Sequence, residues 1–428
     1  PIVNIDNADP ESLGAQLREF KSYIPMRVKE PLLEQALKAT QSSSSSMNIT
    51  LDNFKATLSR DRGEKDPSNS RCVFVQAFEQ LYAKGPGVFR NVYGGDRVFH
   101  VSFTNEGGID AGGVFREGVT RMVEDLFSEH FSLLIPCPNA QHGVHVNTEK
   151  YVPNPGHTSP LALRMFEFVG RLMGMSMRAN LCLPFDWPSV VWAQLAGSTP
   201  LPDDLRSVDA VAHQFLQQLR QGEELDNDAF EARFGRGLRF VFNGSDGVER
   251  ELVPGGRARP VTVENRGDFC RLAEQARLHE FDVQVAAMRR GLAGVVPVRL
   301  LQLFTARQVE RLVAGSPTFD LALWRRNTVS EGVPPLTYKL FWEAMESFTP
   351  AEHAGFVRFA WGRSRLPAEK HWTTKMKLTN AGKPSERKLP VSHTCFWSVE
   401  LPAYTTIEDM RRGLRVAIHY GAAGILNS

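Results

Sequence analysis

Near the C-terminal end, Leu389-Pro390-Val391-Ser392-His393-Thr394-Cys395-Phe396-Trp397-Ser398-Val399-Glu400-Leu401-Pro402 sets one cysteine among a histidine, a threonine and two aromatics. A thiolate, not a thiol, does nucleophilic work, and a free cysteine titrates near a pKa of about 8.5. Pro390 and Pro402 resist continuation of regular structure, so Cys395 is expected on a short extended segment with defined ends. On such a segment His393 and Cys395 project from the same face, yet about 7 Å apart by rise, too far for a direct hydrogen bond without a bend. His393 therefore reads as a polarising or positioning group rather than a full general base. No Asp or Asn completes a triad by spacing, which leaves a cysteine hydrolase resting on Cys395 and His393 alone. Exchange between thioesters asks less, because sulfur then attacks an acyl group that is already reactive. The competing reading is a cysteine packed beside Phe396 and Trp397, and local chemistry leaves the two open.

The elements that position this segment are spread over 428 residues, too many for one ordinary core, so two or three lobes are expected. A hydrophobic fraction of 42% and a charged fraction of 23% describe a soluble globular chain. Lys and Arg number 50 against 48 Asp and Glu, which gives no electrostatic case for nucleic acid or an anionic membrane. No apolar run approaches the roughly 18 to 20 residues of a membrane helix. Cys72, Cys137, Cys182, Cys270 and Cys395 are odd in number and scattered, as reduced thiols of a cytoplasmic or nuclear protein would be. The chain starts at Pro1 without a signal layout and reads as a piece of something longer. The sequons at Asn48 and Asn243 are discounted as chance triplets.

Residues 1–66 read as short amphipathic helices broken at Pro25 and Pro31, then a serine-rich linker at 42–46. Val73, Phe74, Ala77, Phe78 and Leu81 share a helical face, and Phe99, Val101 and Phe103 alternate as in a strand. The glycine-rich run from Phe103 to Glu117 lacks a phosphate-loop ending and reads as a tight turn into a helix carrying Phe115, Val119, Met122 and Leu126 inward. Cys137, His142, His145 and Cys182 match no metal spacing, so no metal is expected. Ser159-Pro160 starts a helix whose Gly170 and Gly174 would admit a close neighbour. Residues 196–265 change texture, with an acidic patch at Glu223, Glu224, Asp226 and Asp228 and a strand over 238–242, as an inserted subdomain would. A helix is expected from Asp268 to Arg290, and Thr305 with Gln308 forms a capping box. Glu331-Gly332-Val333-Pro334-Pro335 reads as a hinge over 331–336. Beyond it, Thr349 to Glu352 caps a helix, Lys370, Lys375, Lys377, Lys383, Arg387 and Lys388 make a basic stretch, and Thr405 with Glu408 caps the last helix.

Leu389 to Phe396 with Leu401-Pro402-Ala403-Tyr404 resembles the active-site segment of HECT-type ubiquitin ligases. Three further stretches are similar to that family in the same order: Phe103 to Glu117, Phe166-Glu167-Phe168-Val169-Gly170-Arg171-Leu172-Met173-Gly174, and Phe359-Ala360-Trp361-Gly362-Arg363-Ser364-Arg365-Leu366-Pro367. The resemblance implies an α+β, bilobal module. A large, mainly helical N-lobe over 67–330 would contain a conjugating-enzyme-binding subdomain at about 196–265, the hinge 331–336 would follow, and a small α/β C-lobe over 337–428 would carry the catalytic cysteine. It implies a ubiquitin ligase that takes ubiquitin from a conjugating enzyme as a thioester on Cys395, with His393 and Thr394 beside it, and passes it to a lysine of a protein substrate. No cofactor is implied, and a monomer is expected. The departures are Trp397 where many members have asparagine, Glu400 where aspartate is common, and an end at Ile425-Leu426-Asn427-Ser428 without the usual phenylalanine and acid. They motivate an alternative, a noncatalytic HECT-like module that binds ubiquitin or a conjugating enzyme.

Overall fold

A computed structural model describes residues 3–7, 9–42, 47–61, 71–92, 97–104, 113–128, 131–221, 226–235, 237–316, 318–362, 365–366, 372, 375–382 and 389–421. Serines 43–46, the glycine-rich stretch 105–112, Glu223, Glu224, Lys370, Lys383, Arg387, Lys388 and Ile425 to Ser428 lie outside the described residues, as does the side chain of Cys395. The described chain is a helix-rich mixture with four small sheets.

Helix α1 (Leu13–Glu19) opens where the Ser12 hydroxyl accepts the Ala15 N–H, 3.1 Å away. Helix α2 (Met26–Ala39) starts after Pro25 but continues through Pro31, where a break was expected. A proline there deletes one backbone donor, and the turn around it is pinned by Lys29. The Lys29 ammonium donates to the Lys21 carbonyl and to Gln308 Oε1 (2.7 Å), and lies over the Phe304 ring. Burial and the nearby Lys21 charge bring its pKa down to about 8. The inward face is thus Lys29, Glu30 and Leu33, and Leu13, Phe20, Tyr23, Val28 and Leu32 are exposed.

Strand β1 (Asn48–Leu51) is followed by α3 (Asn53–Asp61), α4 (Val73–Leu81) and β2 (His100–Phe103), which pairs with β1 in parallel. Helix α4 buries Val73, Phe74, Ala77, Phe78 and Leu81, and α5 (Gly113–Leu126) buries Phe115, Val119, Met122 and Leu126, as their periodicity requires. Strand β3 (Leu134–Pro136), α6 (Pro138–His142) and β4 (Tyr151–Pro153) make an antiparallel hairpin closed by a helix. Helix α7 (Pro160–Ala179) starts at Ser159, whose hydroxyl accepts the Ala162 N–H.

After α8 (Ser189–Leu195), helices α9 (Pro202–Val208), α10 (Ala210–Arg220) and α11 (Asn227–Phe234), the hairpin β5 (Val241–Asn243) and β6 (Glu249–Glu251), and α12 (Arg266–Leu278) share one core that includes Leu216, Leu219, Phe230, Phe240 and Phe269. The strand expected from 238 begins at Val241, because Arg239 makes only an isolated bridge to Pro260. The helix expected from Asp268 to Arg290 is two, α12 and α13 (Asp282–Val295). The break between them turns Glu280 onto Ser245, whose N–H and hydroxyl both donate to its carboxylate, while buried Arg277 pairs with Glu280 and with Asp209 at 2.8 Å. Burial pushes the Glu280 carboxyl above its usual range.

Past α14 (Val298–Leu301), α15 (Ala306–Ala314) carries the expected cap: Gln308 N–H donates to Thr305 Oγ1, and Thr305 N–H to Gln308 Oε1. Helix α16 (Leu321–Arg326) leads into β7 (Thr328–Glu331), and α17 (Pro335–Glu346) and α18 (Pro350–Trp361) follow, the latter with the Thr349–Glu352 capping box. Strands β8 (Met376–Asn380), β9 (Val391–His393) and β10 (Ser398–Leu401) complete a sheet of order β7-β8-β10-β9, parallel except for β9. Helix α19 (Ile407–Gly421) is capped one residue later than expected: Asp409 N–H donates to Thr406 Oγ1, whose hydroxyl donates to Asp409 Oδ2.

Contacts divide the chain into two compact units, Pro1–Leu37 with Leu126–Arg171 and Asp186–Val309, and Lys38–Asp125 with Leu172–Phe185 and Glu310–Ser428. In the first, α7 and α13 approach backbone to backbone. A Cβ on Gly170 would lie 1.9 Å from the Met288 carbonyl oxygen, and one on Gly291 would lie 1.8 Å from that of Glu167. The second holds the four-stranded sheet over a core rich in tryptophan.

Gly291→Ala forces the two helices apart and is expected to cost about 3 kcal/mol in urea unfolding, at the upper end of overpacking penalties. Gly267→Ala, where nothing lies within 4 Å of the added carbon, should stay within about 0.5 kcal/mol of wild type. Equal effects at the two glycines would refute the close-approach account.

Candidate functional site

Cys395 does not lie on an extended segment. Strand β9 ends at His393, residues Thr394–Phe396 form a single 3-10 turn, and Trp397 reverses the chain into β10. The reason is the antiparallel register, in which Ser398 faces His393 and Val399 faces Ser392. A short hairpin loop must contain residues with left-handed backbone, and Trp397 supplies it at φ 47 and ψ 51.

That choice is costly and is offset nearby. A bulky residue in the left-handed region is strained by about 1–2 kcal/mol. Trp397 is completely buried, its ring stacked on Trp361 with centroids 3.9 Å apart and planes 5° apart, and Trp372 lies at 5.0 Å. Such a pair contributes about 0.5–1.5 kcal/mol beyond the burial of its area, so stacking and burial together outweigh the strain. Phe396, by contrast, is 69% exposed.

His393 and Glu400 lie on the same face of the hairpin, two residues apart in register, where long side chains meet diagonally. His393 Nε2 is 3.0 Å from Glu400 Oε1. A carboxylate accepts, so Nε2 is the donor of this contact. Thr394 enters through its backbone: its carbonyl accepts from Arg116 Nη2 at 3.3 Å and from the Trp397 N–H at 3.5 Å. Arg116, Thr120 and Glu124 occupy one face of α5 at i, i+4 and i+8. The Thr120 hydroxyl donates to the Gly362 carbonyl, just past α18, and Glu124 pairs with Arg358 of α18 at 2.6 Å.

Composition and spacing did not single out Arg116, Trp361 or the Glu400 contact. The one available signal was the short gap between two alternating runs, 391–393 and 398–401, which marks a hairpin and brings Glu400 back to His393. The residues weighed as metal ligands are engaged separately: Cys137 Sγ donates to the Asn147 carbonyl, and His145 Nε2 accepts from Arg206 Nε. Burial pushes the thiols of Cys72, Cys137 and Cys270 upward, away from nucleophilic use. Among the described residues no helix is long and apolar enough to cross a membrane.

Residues 120–427 match the family described as HECT-domain (ubiquitin-transferase). The chain is 33% identical over 379 residues to E3 ubiquitin-protein ligase HERC2 of Homo sapiens, an alignment covering 87% of this chain and 8% of that protein. It is 28% identical over 453 residues to Probable E3 ubiquitin-protein ligase HECTD4 of Homo sapiens, with 96% and 11% covered. To E3 ubiquitin-protein ligase HUWE1 of Mus musculus it is 28% identical over 366 residues, with 82% and 8% covered. The chain therefore spans only 8% to 11% of the length of these relatives. With a match that runs through the hairpin at residue 395 and back to α5, the chain belongs to the HECT-domain (ubiquitin-transferase) family.

Proposed function

We propose that this chain is a ubiquitin ligase module that receives ubiquitin from a conjugating enzyme as a thioester on Cys395 and delivers it to a lysine of a protein substrate. The observation that carries the reading is the hairpin turn at 394–397, a gripped reversal with a cysteine in it, inside the stretch that matches the family.

In the first step the Cys395 thiolate attacks the carbonyl carbon of the donor thioester. A C–S bond to Cys395 forms, the C–S bond to the conjugating enzyme breaks, and that enzyme's sulfur leaves as a thiolate. In the second, a neutral lysine amine attacks the same carbon, the amide C–N bond forms, and Cys395 leaves as a thiolate while the amine's surplus proton passes to water. Both leaving groups are thiolates, so neither step needs a strong acid. His393, oriented by Glu400, is read as the polarising group beside the exchange, and Thr394 as a backbone anchor of the turn. Residues 196–265, which pack with α12 around one small core, are read as the seat of the conjugating enzyme, and residues 331–336, from the end of β7 to the start of α17, as the hinge. Gly332 has φ +71, a backbone that proline cannot adopt.

Wild type incubated with activating enzyme, conjugating enzyme, ubiquitin and ATP should form a reductant-sensitive adduct, and Cys395→Ser should turn it into a reductant-resistant ester. No adduct with any of a broad panel of conjugating enzymes would leave the noncatalytic binding module as the better reading. His393→Ala and Glu400→Ala should each slow discharge to free lysine by about three- to tenfold, below the roughly hundredfold or more of a full general base, as befits a polarising group. The double variant should be no slower than either single one, since the pair acts as a unit. Independent, multiplying losses would show that the two side chains work apart.

A further inference from the structure

Trp397 stands against two local penalties. Its backbone is in the left-handed region, where glycine or asparagine fits without strain. Its buried indole Nε1–H, like those of Trp192, Trp324 and Trp342, has no hydrogen-bond partner among the described residues, so the backbone is the penalty particular to it. A residue held against such costs two positions from Cys395 marks a place that the surrounding structure over-determines. Here the surroundings are the stack on Trp361, the last residue of α18, and the grip of α5 on that helix end through Thr120 and Glu124. The same helix holds the other end of the turn through Arg116 and the Thr394 carbonyl. The reactive turn is therefore fixed at its entry by α5 and at its exit by an indole whose own support α5 also fixes.

We propose that Trp397 and Trp361 are positioning residues for thioester exchange: their stack locks the exit of the Thr394–Phe396 turn and so sets the backbone from which Cys395 meets an incoming carbonyl carbon. The proposal rests on Cys395 being the acyl carrier. Reacting groups must approach within about 3–3.5 Å in alignment, and a misplacement of about 1 Å can cost a hundredfold in rate. A turn free to pivot at 397 keeps its nucleophile and loses that alignment.

Single-turnover loading of ubiquitin from a charged conjugating enzyme is measured for wild type, Trp397→Asn, Trp361→Leu and Trp361→Phe, each well below its own unfolding midpoint. Alkylation of Cys395 by iodoacetamide, followed by mass spectrometry, reads its intrinsic reactivity with a reagent too small to need orientation. The far-ultraviolet exciton couplet of two stacked indoles reads the stack itself. The couplet should weaken in all three variants, the remainder coming from Trp324 with Trp342 at 6.3 Å and, where Trp397 is kept, from Trp372 at 5.0 Å. Loading should slow about tenfold in Trp397→Asn and Trp361→Leu, and about threefold in Trp361→Phe, which keeps a ring for Trp397 to rest on, while alkylation stays within about twofold. Loading by Trp361→Leu at the wild-type rate overturns the proposal, and if that variant does not fold, a wild-type rate in Trp361→Phe overturns it equally. Alkylation falling in step with loading also overturns it, since the stack would then act on the thiol rather than on its placement. No loading by wild type defeats the acyl-carrier reading and this proposal with it, an outcome distinct from loading that the variants match.

Discussion

The pairing of β9 with β10 governs everything around Cys395. With Ser398 opposite His393, the reversal is confined to residues 394–397, and Cys395 has no backbone freedom that does not involve its neighbours. Strand β10 is itself paired on both edges, with β8 in parallel and β9 antiparallel, and buries Val399 and Leu401 completely. Shifting the turn by one residue would put those two side chains on the wrong face. A small sheet thus converts ordinary hydrophobic burial into a fixed address for one sulfur-bearing residue.

The aromatic core under that sheet gives the turn its stiffness. Trp324, Trp342, Phe341 and Phe356 pack edge-on or tilted at 5.1 to 6.3 Å, whereas Trp361 and Trp397 lie flat on one another. Tilted rings tolerate small rotations, because edge and face contacts exchange smoothly. A parallel contact at van der Waals distance does not. That flat contact lies two residues from Cys395.

Much of this was legible in residue patterns, and the misses have physical causes. Helices α4 and α5 were readable from apolar periodicity, and α7 and α18 from the caps that start them. Pro31 misled because tertiary anchoring by Lys29 holds the helix through a missing donor. The gap at 279–281 was invisible because it serves a buried pair, Arg277 and Glu280, whose partners lie far away in sequence. The same limit applied to the site. Cys395 and its neighbours stand out by type, whereas Arg116 reaches Thr394 from 278 residues away, and no local pattern can reveal such a contact. The extended conformation assigned to Cys395 failed because two flanking prolines bound a segment without showing that it folds back on itself.

Strand β7 carries a further consequence. It lies before the Gly332-Val333-Pro334-Pro335 connector, yet it is hydrogen-bonded to β8 from Thr328 to Glu331, with Lys377 and Glu331 in ion-pair range. A cut at residue 337, where composition suggests a lobe begins, would remove this strand and leave the flank of β8 with open donors and acceptors. Bare sheet flanks recruit other chains, so an excised cysteine-bearing fragment would stay dispersed only if it began upstream of Thr328. The start of a self-contained fragment is therefore set by main-chain hydrogen bonds and lies upstream of Thr328, ahead of Gly332 and the two prolines.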